Sequence, residues 1–187
     1  MRVPAFALLL AGADFVNFSK KQARDITKRL SPADTYSGLT LPKPVWSLEH
    51  VIPQSRISPP GRKNDLHNLA GTHARVNSMR GNKAFGDPTA FTEFRGCKFS
   101  PSLFCPASGK GEVARIVAYM TDLYGDRVHT ASVISRDTLL EWNDRYPPND
   151  HEREKNTLVY DIQGTFNRFV ENPAAVEELT RLADLFI

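Results

Sequence analysis

The chain has 187 residues, a formal net charge of +3, and 41% hydrophobic and 24% charged residues. This composition excludes a disordered or collagen-like chain, and a chain of this length buries about 70% of its unfolded surface without needing a disulfide or a metal. No apolar stretch is long enough to cross a bilayer, so we expect no membrane partner. The length predicts one globular domain over residues 1–187. We expect this domain to act as a monomer.

Residues 1–13 have one positive charge, a short apolar run and an Ala-Gly-Ala sequence of the kind found at signal-peptide cleavage sites. The segment is shorter than most signal peptides, and a buried first helix is the alternative. The sequence therefore leaves two alternatives for the location of the protein, secreted or periplasmic on one hand and cytoplasmic or nuclear on the other. Cys97 and Cys105 leave the same choice open, because they suit either a small disulfide loop or two reduced thiols.

The first predicted elements are a helix over residues 19–30 and a strand over residues 45–52. Ala23, Ile26 and Leu30 share one face of the helix, which predicts a supporting role against the core. The strand is rich in Val, Trp and Ile and is bounded by prolines on both sides.

The middle of the chain predicts a loop over residues 53–64, an extended piece over 65–70 and a short helix over 72–80. Thr72 suits the N-cap of that helix, and the following glycine suits its end. Beyond it we expect an irregular stretch whose phenylalanines fill the core, and then a helical C-terminal part over about 109–187.

Glu49 and His50 stand side by side in the predicted strand, where neighbouring residues call for a dry interior. Consecutive strand residues point to opposite faces, so either the backbone bulges here or one of the two residues is structural. A neutral imidazole can take a proton from water, which makes His50 a candidate general base. Carboxylate and amide oxygens suit a magnesium or calcium ion, which makes Glu49 and Asn77 candidate ligands.

The window from His50 to Lys83 is locally cationic, with one acid, Asp65, among six bases. A cationic surface around a site favours a polyanionic substrate, although charge alone suits an ordinary soluble loop equally well. The six bases are Arg56, Arg62, Lys63, Arg75, Arg80 and Lys83.

Five short motifs occur in order: Glu-His followed by Pro, Asp-x-His-Asn-Leu, Val-Asn-x-x-Arg-Gly-Asn, "KGEVARIVAYM", and "WNDRYPPNDHEREKN" with "IQGTFNRF". Over about residues 45–173 the sequence resembles the endonuclease I family of nonspecific nucleases, within the His-Me finger or ββα-metal group. The resemblance implies an α+β fold, mostly helical, in a single domain built around a ββα-metal finger at about residues 45–83.

By position, the resemblance implies that His50 is the general base and that Glu49 and Asn77 bind Mg²⁺, with Ca²⁺ and Mn²⁺ as alternatives. Arg62 matches an arginine that steadies the cleaved phosphate in some members. Arg80 is assigned to substrate binding, with pairing to Asp65 or Glu49 as the alternative. The full set expected to bind substrate is Lys63, Arg75, Arg80 and Lys83.

The implied function is metal-dependent, nonspecific hydrolysis of DNA, with RNA left open, giving 5′-phosphate products. One alternative is a nucleic-acid-binding protein that keeps the finger without cleaving. A zinc hydrolase using His50, His67 and His73 is a further alternative, but these residues fit no common zinc spacing.

Overall fold

A computed structural model describes residues 18–58 and 63–182 of the chain. The signal-like segment at residues 1–13 and Arg62 lie outside the described residues. Within the described part, none of the helices has the length and apolar character needed to cross a membrane. The helices and strands are α1 (Lys20–Leu30), β1 (Trp46–His50), β2 (Leu69–His73), α2 (Ala74–Arg80), β3 (Ala84–Phe85), β4 (Thr92–Phe94), β5 (Cys97–Phe99), β6 (Leu103–Cys105), α3 (Lys110–Tyr124), α4 (Arg136–Arg145), α5 (Asp150–Gln163), α6 (Arg168–Glu171) and α7 (Ala175–Leu182). This mixture confirms the expected α+β class.

β1 and β2 form an antiparallel pair that leads directly into α2. The pairing runs without a break over the five residues of β1, so the bulge considered from the sequence is absent from this ladder. α2 is capped by His73 and not by the predicted Thr72, because the Nδ1 of His73 accepts a hydrogen bond from the backbone N–H of Arg75 at 3.1 Å. The strand and the helix predicted here are both confirmed, with shorter ends.

α1 packs across β1 and closes one side of the β1–β2 pair. It begins with a capping box in which the side chains of Ser19 and Gln22 bond each other's backbone N–H groups. Its inner side forms an apolar cluster with residues of β1, β2 and α5, which confirms the supporting role predicted for it. The cluster comprises Phe18, Ala23, Leu30, Leu66, Leu69 and Val159, with Ile26 and Leu48 packed against it.

The stretch after α2 holds a small sheet with strand order β3-β6-β5-β4, where an irregular segment was expected. Phe85, Phe99 and Phe104 are buried in the main core, but Phe91 is 45% exposed and Phe94 is half-buried. The prediction that every phenylalanine of this stretch fills the core is therefore wrong for Phe91, whereas Phe94 packs against the edge of the core. Short two- and three-residue strands carry too few residues to give a recognisable alternating pattern.

β5 and β6 carry the two cysteines on opposite faces. Cys105 lies directly opposite Lys98, and Cys97 immediately precedes Lys98. Because successive strand residues point to opposite sides, the two thiols face away from each other, and both are free and buried. Burial raises the pKa of the Cys97 thiol to about 11, which keeps it protonated at neutral pH. The structure favours reduced thiols over a disulfide.

α3 runs through the core and is joined to α5 by buried charge. Arg115 on α3 is 1% exposed, and its guanidinium makes two 2.6 Å hydrogen bonds to the carboxylate of Glu152 on α5. The same guanidinium donates to the backbone carbonyl of Tyr146 at 3.0 Å. Arg115 therefore belongs to the interior.

Asp65 ties the segment before β2 to the C-terminal helices. Its carboxylate accepts hydrogen bonds from the hydroxyl groups of Tyr119 and Tyr124 and from the side-chain amide of Gln163. The amide oxygen of Gln163 in turn accepts the backbone N–H of Leu66 at 2.7 Å. The chain entering β2 is thus held by residues almost one hundred positions later.

We expect Glu152→Gln to lower the free energy of unfolding by about 3 kcal/mol, because it leaves the buried guanidinium of Arg115 without a counter-charge. Urea unfolding followed by circular dichroism measures the change. Glu141→Gln is the matched control, because Glu141 pairs with Arg145 at 3.7 Å on the surface and should contribute little. Equal effects of the two substitutions would contradict a structural role for the buried pair.

Candidate metal and phosphodiesterase site

Glu49 is buried on β1 and has one carboxylate oxygen fully engaged. Its Oε1 accepts a hydrogen bond from the Tyr36 hydroxyl at 2.7 Å and another from the Arg80 Nη1 at 3.0 Å. Neither of these bonds uses Oε2. Burial raises the pKa of the Glu49 carboxyl group, while the Arg80 charge and the Tyr36 hydrogen bond act in the opposite direction.

Arg80 lies in the interior, and the substrate-binding role assigned to it from the sequence needs correction. Its guanidinium is 1% exposed and bonds the Glu49 carboxylate, the His50 carbonyl at 3.0 Å and the Val51 carbonyl at 2.7 Å. A guanidinium enclosed in this way has no surface to offer a phosphate. The structure therefore supports the alternative, in which Arg80 pairs with Glu49.

Asn77 projects from α2 toward β1 with its amide oxygen uncommitted. Its Nδ2 donates to the Ser47 hydroxyl and to the Leu48 carbonyl, each at 3.0 Å. Because a carbonyl only accepts, the amide atom beside Leu48 must be the nitrogen, which fixes the orientation of the group. Among the described residues, nothing donates a hydrogen bond to the Oδ1 of Asn77.

Glu49 and Asn77 together suit a hard divalent cation. Ser47 and Glu49 lie on the same face of β1, the face toward α2, because side chains alternate along a strand. The oxygens not used in the bonds above, one from a carboxylate and one from an amide, are the donors that magnesium or calcium accepts together with water. The residues present therefore fit the metal that the sequence resemblance implied.

A zinc site from three histidines receives no support. His67 is buried against Tyr119, with its Nε2 3.0 Å from the Thr165 carbonyl, and His73 caps α2. Across the described ranges 18–58 and 63–182, no group of three or more His, Cys, Asp or Glu side chains is arranged to hold a metal.

His50 is the last residue of β1 and is nearly buried. Its Nδ1 lies 3.3 Å from the Nε2 of Gln54, and its own Nε2 is enclosed and has no hydrogen-bond partner. Burial lowers the pKa of the imidazole to about 4, and the positive charges of Lys20 and Lys63 act in the same direction. The ring is therefore neutral at pH 7, which is the form that accepts a proton.

The imidazole and the candidate metal ligands lie on opposite faces of one strand. The regular pairing of β1 turns Glu49 toward α2, and it turns His50 to the face shared by Trp46 and Leu48, against which α1 packs. The chain bends away directly after His50, at the end of β1.

Asn68 fixes the position of the chain just beyond His50. Its Oδ1 accepts the backbone N–H of Ile52 at 2.8 Å, and its Nδ2 donates to the Ile52 carbonyl at 3.1 Å. A side-chain amide that satisfies both backbone groups of one residue replaces the pairing of a strand partner. Asn68 therefore braces the backbone just after β1.

The remaining predicted cations are placed unequally. Lys63 is half-buried, and its charge acts on His50. Arg75 is exposed, with its guanidinium 4.5 Å from the centre of the Phe94 ring, and the Nζ of Lys83 donates to a backbone carbonyl of α2 at 2.9 Å. The structure thus brings Lys63 to His50 and leaves Arg75 and Lys83 on α2 and just beyond it.

Sequence patterns did not identify three residues near the site, which are Tyr36, Gln54 and Lys20. Tyr36 lies in a loop without a periodic pattern, and its contact with Glu49 spans thirteen positions. Gln54 follows His50 by four residues, a spacing that the proline between them made uninformative. Lys20 had the one available signal, since it belongs to a strongly basic helix.

The sequence of the chain is similar to those of known proteins. The sequence model of the Endonuclease I family matches residues 18–174. The chain is 29% identical over 154 residues to an extracellular ribonuclease of Bacillus subtilis (strain 168), a match covering 72% of this chain and 54% of the relative. It is 28% identical over 147 residues to a periplasmic deoxyribonuclease of Aeromonas hydrophila, covering 68% of this chain and 60% of the relative.

A third relative, Endonuclease-1 of Buchnera aphidicola subsp. Baizongia pistaciae (strain Bp), is 29% identical over 147 residues, covering 68% of this chain and 58% of the relative. The chain thus spans between half and two thirds of the length of these relatives. The family match extends over most of the chain and includes β1, β2 and α2 with Glu49, His50 and Asn77. The chain belongs to the endonuclease I family.

Proposed function

We propose that the protein is a metal-dependent endonuclease that hydrolyses phosphodiester bonds in nucleic acids with little sequence preference and leaves 5′-phosphate ends. The observation that carries this proposal is a neutral imidazole, His50, next to a carboxylate and near an amide that each keep an oxygen available, Glu49 and Asn77. Family membership supports it, because relatives are named as ribonucleases and as deoxyribonucleases. Both polymers are therefore candidate substrates.

The order β1, β2, α2 supports a ββα-metal, or His-Me, finger. An antiparallel pair is followed at once by a helix, and the helix returns Asn77 to the strand that carries Glu49. In this proposal, these two residues hold Mg²⁺, with Ca²⁺ and Mn²⁺ as alternatives. When bound, the ion neutralises charge on the phosphate and on the departing 3′-oxygen.

His50 takes the proton of the attacking water. In a direct displacement the water enters opposite the leaving oxygen, so the base and the ligands that support the leaving group belong on opposite sides of the phosphorus. Because His50 and Glu49 are neighbours on β1, their side chains point to opposite faces of the strand at the same end. The Gln54 amide beside Nδ1 has both a donor and an acceptor, so it suits either tautomer of the ring.

The cations around the finger bind substrate phosphates. The charge of Lys63 acts on His50, while Arg75 and Lys83 lie on the α2 side. Arg62 steadies the cleaved phosphate in this proposal, on the strength of its position in the sequence. Contacts of this kind go to the backbone, so affinity falls steeply with salt and carries little base preference.

We propose that the protein is exported and works as a monomer. Relatives are named as extracellular or periplasmic, and residues 1–13 have the features of an export signal. A nucleic-acid-binding protein without cleavage is the competing function. Binding of nucleic acid by the wild-type protein in EDTA, with no cleavage after Mg²⁺ is added, would favour it.

We expect His50→Ala to lower turnover of plasmid DNA or RNA by about 10²–10⁴-fold, the usual contribution of a general base. Cleavage is followed on gels with Mg²⁺ and with EDTA, and circular dichroism checks the fold. His151→Ala is the control, because His151 is exposed on α5. Wild-type turnover in purified His50→Ala would overturn the mechanism.

We expect Asn77→Ala to weaken binding of Mn²⁺ by at least about tenfold, because the variant lacks the free amide oxygen. Isothermal titration calorimetry without nucleic acid measures this affinity directly. Asn172→Ala serves as the control, since Asn172 is exposed beyond α6. An unchanged affinity would remove Asn77 from the ligand set.

We expect Tyr36→Phe to weaken Mn²⁺ binding by about tenfold, the usual effect of losing a group that orients a ligand. Without the 2.7 Å hydrogen bond, the Oε1 of Glu49 has only Arg80 to fix its orientation. The same titration measures the effect, with Tyr160→Phe as control, because the Tyr160 side chain is on the surface. Equal affinities of the two variants would show that Tyr36 does not position the carboxylate.

A further inference from the structure

Three basic side chains line one side of α1. Lys20, Arg24 and Lys28 follow one another at intervals of four residues, so they lie one above the next along the helix. All three are exposed. We call them the α1 stripe.

The cations of the α1 stripe form no ion pair with any residue that the structure describes. Asp25 is the acid of α1, and it is held by Lys21 at 2.9 Å. Among the residues that the structure describes, no carboxylate lies within 4.0 Å of a stripe cation. An ordinary solvated helix face usually intersperses both signs, as α4 and α7 do with their Arg–Glu pairs.

The α1 stripe is fastened to the strand that carries the site. The Arg24 guanidinium lies 5.0 Å and the Lys28 ammonium 5.6 Å from the centre of the Trp46 ring. Trp46 is the first residue of β1, and its ring is nearly buried. Cations held on an aromatic face occupy defined positions instead of sampling the solvent freely.

The other end of the stripe points to His50. The carbonyl of Phe18, just before α1, accepts a 2.7 Å hydrogen bond from the side chain of Asn64, the neighbour of Lys63. The start of α1 therefore lies beside the segment that carries Lys63, and the end of α1 lies at the start of β1. α1 thus runs antiparallel to β1, on the face that His50 shares with Trp46.

The length of the stripe matches a short run of nucleotides. Eight residues of α-helix rise about 12 Å. Phosphates of one strand repeat about every 3.4 Å along a duplex axis, so the stripe spans roughly three to four of them.

We propose that the α1 stripe binds the phosphate backbone of the substrate strand that leads away from the bond at His50, past Trp46. The inference rests on the proposed endonuclease function and extends its substrate site to a helix outside the β1–β2–α2 unit. The contacts are to phosphate, which DNA and RNA share. The enclosed Trp46 ring offers no face for base stacking, so the stripe reads no sequence.

The test compares two triple variants that remove the same charge. K20Q/R24Q/K28Q removes the stripe, and R136Q/R145Q/R181Q removes three exposed arginines from α4 and α7. Both are made in the His50→Ala protein and titrated in EDTA, so that binding is measured without cleavage. The probes are a fluorescein-labelled DNA strand of roughly 20 nucleotides and its RNA counterpart, and the readout is anisotropy at several salt concentrations.

We expect the stripe variant to lose at least about tenfold in affinity at low salt for both polymers. The slope of log affinity against log salt should become shallower by about 2, since each phosphate contact on a single strand contributes about 0.7. The arginine control should stay close to the parent. A labelled dinucleotide is too short to follow the stripe and should show a much smaller loss.

Equal losses in the two triple variants would overturn the proposal in favour of net charge alone, and so would an unchanged slope or a loss confined to one polymer. Because Arg24 and Lys28 pack on Trp46, thermal melting is used to check that the triple variant is still folded. Lys20 contacts no aromatic ring of the described residues, and Lys20→Gln should by itself reduce the slope by about 0.7. Cleavage by the wild-type protein is assayed separately, so stripe binding without any cleavage would keep this inference and remove the endonuclease proposal.

Discussion

The buried ion pair between Arg80 and Glu49 is the interaction on which the rest of the site depends. Removing two charges from water costs several kcal/mol for each ion, and the attraction offsets this only when further hydrogen bonds satisfy both groups. Here the guanidinium also bonds the carbonyls of His50 and Val51, and the Tyr36 hydroxyl bonds the carboxylate. The pair therefore holds the end of α2 against the end of β1. Asn77, one turn earlier on α2, is positioned by the same constraint.

This arrangement lets one short strand serve two purposes. The face of β1 toward α2 carries polar groups that are fixed by charge and hydrogen bonds, whereas the face toward α1 carries an apolar cluster that ends in His50. The apolar side supplies the dry surroundings that keep the imidazole neutral, and the polar side keeps a carboxylate oriented. Neither environment would suit both side chains, so the alternation of the strand is what allows Glu49 and His50 to be neighbours.

The sequence was informative where a pattern is local. β1, α1 and α2 were predicted because their residues follow strand or helix periodicity between clear boundaries, and Glu49, His50 and Asn77 stood out as chemically distinctive residues in or beside them. Tyr36 could not be found, because its contact with Glu49 joins it, from a loop without a pattern, to a residue thirteen positions away. The pairing of Arg80 with Glu49 was one of the alternatives, and only the structure distinguishes it from substrate binding. The N-cap of α2 is His73 and not the predicted Thr72, because an imidazole nitrogen, instead of a hydroxyl, accepts the first backbone N–H. Short strands with two or three residues left no periodic signal at all.

Asp65, Leu66 and His67 are attached to the region around Gln163. The site therefore depends on residues that are synthesised late. The amide of Gln163 and the carbonyl of Thr165 hold these residues across 97 and 98 positions, and these residues lead into the partner strand of β1. A nascent chain that has not yet reached Thr165 lacks those anchors for the segment that leads into β2. Under the proposed function, this order of assembly keeps the site incomplete until the chain has been made as far as Thr165.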